Sequence, residues 1–148
     1  LIADEPGTSL DVTIQDQVLR LLHHLVQEKD VSVILITHTL GVVRETTDRV
    51  YVMYAGRMVE AAATEKLFAN PLHPYTHGLM DAVPKLTGGG IADGIAGRIP
   101  DYLNPPDGCR FHPRCPSALD ICRQEKPSFC KIDDDHKVAC FLYQDGEK

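Results

Sequence analysis

The stretch Ile2-Ala3-Asp4-Glu5-Pro6-Gly7-Thr8-Ser9-Leu10-Asp11 sets two adjacent carboxylates at the end of a short apolar run and follows them with a Pro-Gly turn. Successive side chains of a strand point to opposite faces, so Asp4 and Glu5 face different ways. A carboxylate at the first position can hold Mg²⁺ through water, and its neighbour can orient or deprotonate an attacking water, a division of labour suited to phosphate cleavage. The Gly-rich phosphate loop that accompanies such a pair, G-x-x-x-x-G-K-[ST], occurs nowhere in the 148 residues. The pattern predicts the back half of a nucleotide-cleaving α/β domain. The plainer alternative is a strand end with solvated acids running into a turn.

Context weighs against that alternative. Val33-Ile34-Leu35-Ile36-Thr37-His38 is a second continuous apolar run, of the kind a buried parallel strand shows, and it ends in a polar pair. Residues at the carboxyl ends of parallel strands face the ligand crevice, so Asp4, Glu5 and His38 are expected at one site.

Between these runs, Asp11 is placed to cap a helix carrying Ile14, Val18, Leu21, Leu22 and Leu25 on one stripe, which reads as core packing. Asp30 closes that helix, and Val31 to Thr37 reads as the second strand. Thr39 to Asp48 then reads as a short helix. Arg49 to Tyr54 and Arg57 to Ala61 form an expected hairpin turning on Ala55-Gly56. Thr64 to Ala69 and Tyr75 to Val83 read as short helices around the Pro71 and Pro74 breaks. The alternation suits half of an α/β sheet.

From residue 84 to 108 the chain turns Pro- and Gly-rich, with Gly88-Gly89-Gly90 and Pro105-Pro106, and reads as a linker. Residues 109–148 are expected to form a small irregular lobe, too short to hold a core without a staple. All five cysteines lie there, spaced C-x5-C-x6-C-x7-C-x9-C from Cys109 through Cys115, Cys122 and Cys130 to Cys140. Disulfides rank last, because the count is odd and the expected nucleotide-cleaving domain would work where thiols stay reduced. Zinc has three plausible ligands in Cys109-x2-His112-x2-Cys115 but no C-x2-C knuckle. An iron-sulfur cluster needs four thiolates and tolerates irregular spacing. On chemistry alone the last two are near even. His112 and His136 read as surface or supporting groups, and His73 and His77 as packing and capping elements.

The apolar fraction is 43% and the net charge −6, spread as 8 basic and 14 acidic residues before residue 109 and 7 of each after it. No basic stripe invites nucleic acid. No apolar run approaches the roughly 18 residues that cross a bilayer, so a membrane role is expected to come through a partner.

The opening stretch, Ile36-Thr37-His38 and Val52-Met53-Tyr54-Ala55-Gly56-Arg57 together resemble the nucleotide-binding subunits of ABC transporters. Asn70-Pro71-Leu72-His73-Pro74-Tyr75-Thr76, Gly108-Cys109, Pro113-Arg114-Cys115-Pro116 and Val138-Ala139-Cys140 narrow the resemblance to the dipeptide and oligopeptide importer branch. It implies an ABC ATPase portion over 1–83, the linker over 84–108 and a cysteine-rich module over 109–148. It also implies that Asp4 is the Walker B aspartate, Glu5 the catalytic glutamate, Asp11 part of the loop that communicates across an ATPase dimer, and His38 the switch histidine. Gly7-Thr8-Ser9 and Thr39 depart from the family's usual Thr-Thr-Ala and Asp while keeping the charged atoms. ATP and Mg²⁺ are the implied cofactors. Cys109, Cys115, Cys122 and Cys140 are the implied ligands of a 4Fe-4S cluster, with Zn²⁺ the alternative and Cys130 the spare. A second ATPase subunit and membrane permease subunits are the implied partners, peptide is met only indirectly, and the location is the cytoplasmic face of the cell membrane. Without the phosphate loop, this chain alone is expected to be inactive. The alternatives are an ABC-type ATPase of DNA repair or chromosome organisation, and a stand-alone iron-sulfur or zinc module.

Overall fold

The structure is a computed structural model in which residues 1–83 and 94–144 are described. It divides into two compact units, Leu1–Asp48 and Arg49–Lys148.

The first unit is a strand-helix-strand crossover followed by a short helix. β1 (Ile2–Asp4) pairs in parallel with β2 (Ile34–Ile36), Ile2 opposite Ile34 and Asp4 opposite Ile36. α1 (Val12–Lys29) makes the crossover. Asp11 caps it as expected: its Oδ1 accepts from the backbone N–H groups of Thr13 and Ile14, both at 3.0 Å. At the other end Asp30 takes the left-handed conformation, φ 51°, that ends many helices. α2 (Leu40–Thr46) follows β2.

The apolar stripe of α1 does not become a core. Val18, Leu22 and Leu25 are half-buried, whereas Ile14 and Leu21 stay exposed. Two strands of three residues offer too little surface to cover a helix of five turns. For the same reason Ile2, Ile34 and Ile36 remain exposed, at 69%, 62% and 47%.

The second unit is built on an antiparallel sheet. β3 (Arg49–Tyr54) and β4 (Arg57–Ala63) form the expected hairpin, whose turn residues Ala55 and Gly56 both have positive φ. β5 (Cys130–Lys131) and β6 (His136–Val138) complete the strand order β3-β4-β6-β5. α3 (Thr64–Ala69) and α4 (Pro74–Asp81) match the expected short helices within a residue or two. Phe111 packs with Val52, Tyr54, Val59, Ala62 and Leu67 in the main core, its ring meeting that of Tyr54 edge-on at 5.0 Å.

Residues from the cysteine-bearing stretch therefore share a sheet and a core with the hairpin, with Glu60 of β4 opposite Val138 of β6. The contacts gather on either side of residue 48, and the cysteine-bearing stretch falls with the hairpin in the second unit. The reason is β-pairing: the stretch is short of apolar residues, but β4 offers it a free edge and a buried alanine surface at Ala61 and Ala62. Of the expected linker, 84–93 with its three consecutive glycines lies outside the described residues. Ile95 and Ala96 are tied down by Arg114, whose guanidinium donates to both carbonyls.

Candidate functional site

β1 ends at Asp4, and the backbone N–H of Glu5 still donates to the carbonyl of Ile36 at 2.8 Å. Glu5 itself adopts φ +48°, a left-handed conformation unusual for a side-chain-bearing residue, which turns the chain sharply into Pro6-Gly7. The Thr8 N–H then closes the turn on the Glu5 carbonyl at 3.1 Å.

This geometry brings Glu5 and His38 together. Glu5 Oε1 lies 2.8 Å from His38 Nδ1, and Thr8 Oγ1 donates to the other carboxylate oxygen at 2.8 Å. Hydrogen bonding to His38, and secondarily to Thr8, holds the Glu5 carboxyl below the ordinary range for a glutamate. The two hydrogen bonds thus favour the carboxylate form of Glu5. Glu5 and His38 line a cavity of about 210 Å³ with Thr8, Gln15, Thr37 and Thr39 among its walls.

Asp4 and Asp11 do not line this cavity. Asp4 is exposed at the strand end, and Asp11 spends one carboxylate oxygen on the cap of α1. The resemblance places Thr8 in the Thr8-Ser9-Leu10-Asp11 loop implied to communicate across an ATPase dimer, and nothing in the sequence marks it as a partner of Glu5, since a hydroxyl in a Pro-Gly turn has many partners available.

In the second unit the four cysteines expected as ligands share one neighbourhood. The Cys109 N–H donates to the Cys122 carbonyl at 2.9 Å. Burial pushes the Cys140 thiol up to about 11, and the nearby thiols of Cys109, Cys115 and Cys122 push the same way. Burial likewise raises Cys109 and Cys115, with Cys122 adding to both. Cys130 packs against the cluster of Leu72, Val138 and Cys140, and its sulfur donates to the carbonyl of Val138 at 3.2 Å. Among the described residues, no three His, Cys, Asp or Glu side chains are arranged to hold a metal ion. The four thiols are thus within electrostatic reach of one another without forming an ion-sized cage. His112 turns its Nδ1 to the Cys109 carbonyl at 2.9 Å.

The sequence reading missed Glu60. Its side chain is fully buried and accepts from the N–H groups of Leu72 and His73, at 2.8 and 2.9 Å, and from His136 at 2.7 Å. A lone acid in the apolar strand Met58-Val59-Glu60-Ala61-Ala62 was the available signal. His73 caps α4, as expected, by accepting from the Tyr75 N–H at 3.0 Å.

A mixed α/β chain with a carboxylate pair at one strand end and a histidine at the next is consistent with the C-terminal part of an ABC-type ATPase. Residues 59–122 match the family described as oligopeptide/dipeptide transporter, C-terminal region. The chain is 51% identical to the oligopeptide transport ATP-binding protein AppD of Bacillus subtilis, over 98% of its own length and 44% of that protein. It is 49% identical to the dipeptide transport ATP-binding protein DppD of the same organism, over 96% of its length and 43% of that protein. Against the dipeptide transport ATP-binding protein DppD of Caldanaerobacter subterraneus the identity is 43%, over 99% and 45%. Nearly the whole chain is thus similar to dipeptide and oligopeptide transport ATP-binding proteins, and it spans less than half the length of these relatives. No described helix is long and apolar enough to cross a membrane.

Proposed function

We propose that the chain is part of the ATP-hydrolysing subunit of an importer for dipeptides or oligopeptides. The observation that carries the reading is the Glu5–His38 pair at 2.8 Å, in a chain half identical to peptide-transport ATP-binding proteins. In this reading Glu5 orients the attacking water in line with the γ-phosphate. His38 stabilises the phosphoryl group in flight, and Asp4 holds Mg²⁺ through its water shell. Mg²⁺ supplies charge neutralisation at the phosphates. Asp11 belongs to the loop that meets a second ATPase subunit. Permease subunits carry the peptide and hold the complex at the cytoplasmic face of the membrane. The 148 residues contain no phosphate loop, so alone they hydrolyse no ATP. The relatives named above are peptide-transport proteins, which favours this reading over chromosome organisation or DNA repair.

Residues 84–108 link the ATPase portion to a module from 109 to 148, in which Cys109, Cys115, Cys122 and Cys140 hold a 4Fe-4S cluster. What supports this is that the four thiols lie within electrostatic reach of one another, while the Cys130 sulfur is engaged by the Val138 carbonyl. Four sulfurs around a single Zn²⁺ sit about 2.3 Å from it, whereas a cluster spreads its ligands over separate irons. On the thiols alone the two are near even, and the resemblance of residues 109–148 to the importer branch's cysteine module is what favours the cluster.

The test is ATP hydrolysis by the full-length subunit assembled with its membrane partners in vesicles. Stimulation by dipeptides or oligopeptides supports the reading. ATP hydrolysis unaffected by any peptide, but stimulated by DNA, overturns it.

A further inference from the structure

We propose that Thr8 is a positioning residue for the hydrolytic site: its hydroxyl fixes the plane of the Glu5 carboxylate so that the other oxygen meets His38. This inference rests on the ATPase reading above and adds to it a residue outside the acid pair and the histidine.

Glu5 is anchored at its N–H by Ile36 and then leaves the strand at φ +48°, so its side chain springs from a fixed, sharply turned point. That fixes Cα but leaves the carboxylate free to rotate about its last bond, a broad and soft torsion. Thr8 removes that freedom. The turn closed by Thr8 N–H on the Glu5 carbonyl puts the Thr8 hydroxyl 2.8 Å from Oε2, leaving Oε1 for His38 Nδ1 at 2.8 Å.

The turn is itself covered from above. A Cβ on Gly7 would stand 2.7 Å from Gln15 Cγ, so the side chain of α1 rests directly on the backbone between Glu5 and Thr8. Glycine at this position is what allows that close approach.

The arrangement has a consequence for His38. An ionised carboxylate only accepts, so Nδ1 of a neutral His38 carries the hydrogen and Nε2 keeps its lone pair. Thr8 therefore sets the orientation of the glutamate and, through it, the tautomer of the histidine.

The experiment compares Thr8→Val, which keeps the shape and removes the hydroxyl, with Thr8→Ser, which keeps the hydroxyl. In the full-length subunit, Thr8→Val is expected to lower kcat about tenfold with KM for MgATP unchanged, the scale of a misoriented catalytic group, and Thr8→Ser to restore it. In the 148-residue chain, ¹⁵N spectra of the neutral His38 ring are expected to report the Nδ1–H tautomer in wild type and Thr8→Ser, and a mixture in Thr8→Val. Thr8→Val with wild-type kcat and an unchanged ring spectrum overturns the proposal, as does a kcat loss that Thr8→Ser does not restore. Glu5→Gln in the same assay separates the two readings. If it retains full turnover, the ATPase assignment of Glu5 has failed; if it is inactive while Thr8→Val is normal, only the role of Thr8 has failed.

Discussion

Glu60 Oε1 lies 2.7 Å from His136 Nε2, and both side chains are shut off from solvent. With the N–H groups of Leu72 and His73 on the same carboxylate, one acid joins β4, the segment ahead of α4, and β6. A buried carboxylate is tolerated only when its lone pairs are met, and here the hydrogen bonds come from three separate residues. The stretch with few apolar residues is thereby tied to the sheet by polar as well as β-pairing contacts.

Replacing Glu60 by Gln leaves buried donors facing an amide. Breaking such a pair from one side is expected to destabilise the second unit by about 3 kcal/mol. Urea unfolding checks this, and a loss of no more than about 0.5 kcal/mol, the range of ordinary surface changes, would show the network to be dispensable.

His73 makes stability depend on pH. Burial lowers its pKa from 6.5 to about 4, with the Glu60 charge opposing. Between those values the unfolded chain binds a proton that the folded chain refuses, so stability is full above pH 6.5 and falls as pH drops toward 4. The loss amounts to about 3 kcal/mol. His73→Asn keeps a capping side chain and is expected to flatten this part of the stability profile. Parallel profiles for the two proteins would contradict the assignment.

The cysteine grouping predicts a brown protein after anaerobic purification, containing iron and acid-labile sulfide. Changing Cys109, Cys115, Cys122 or Cys140 to Ser is expected to bleach it and loosen the surrounding segment, because ligation and folding are coupled. Cys130→Ser should do neither. One zinc per chain and no iron would replace the cluster with a zinc site.

Ile2, Ile34 and Ile36 expose one apolar face of the β1-β2 pair, next to unpaired strand edges. Such a surface promotes association. The 148-residue chain is expected to self-associate at micromolar concentration, and light scattering of a clean monomer would count against this.

Much of this was legible in the sequence for identifiable reasons. Asp11, Asp30 and Ala55-Gly56 act through local rules of capping and turning, so the elements they bound lie close to where the sequence places them. His38 was legible because an apolar run ends beside it. What stayed hidden was non-local. Nothing near Val138 in the chain says that it will lie opposite Glu60, and nothing near Glu60 names His136 as its partner. The α1 stripe misled for a related reason, since periodicity reports which face is apolar and not whether anything covers it. Thr8 depended on a left-handed Glu5, which no pattern announced.

The proposed hydrolysis turns on Glu5 in the full-length subunit. Glu5→Gln is expected to bind MgATP as wild type does while turnover falls by roughly 100-fold or more, the scale of a lost base or water-orienting group. Parallel loss of nucleotide binding, or turnover left intact, would contradict the assignment of Glu5 to hydrolysis.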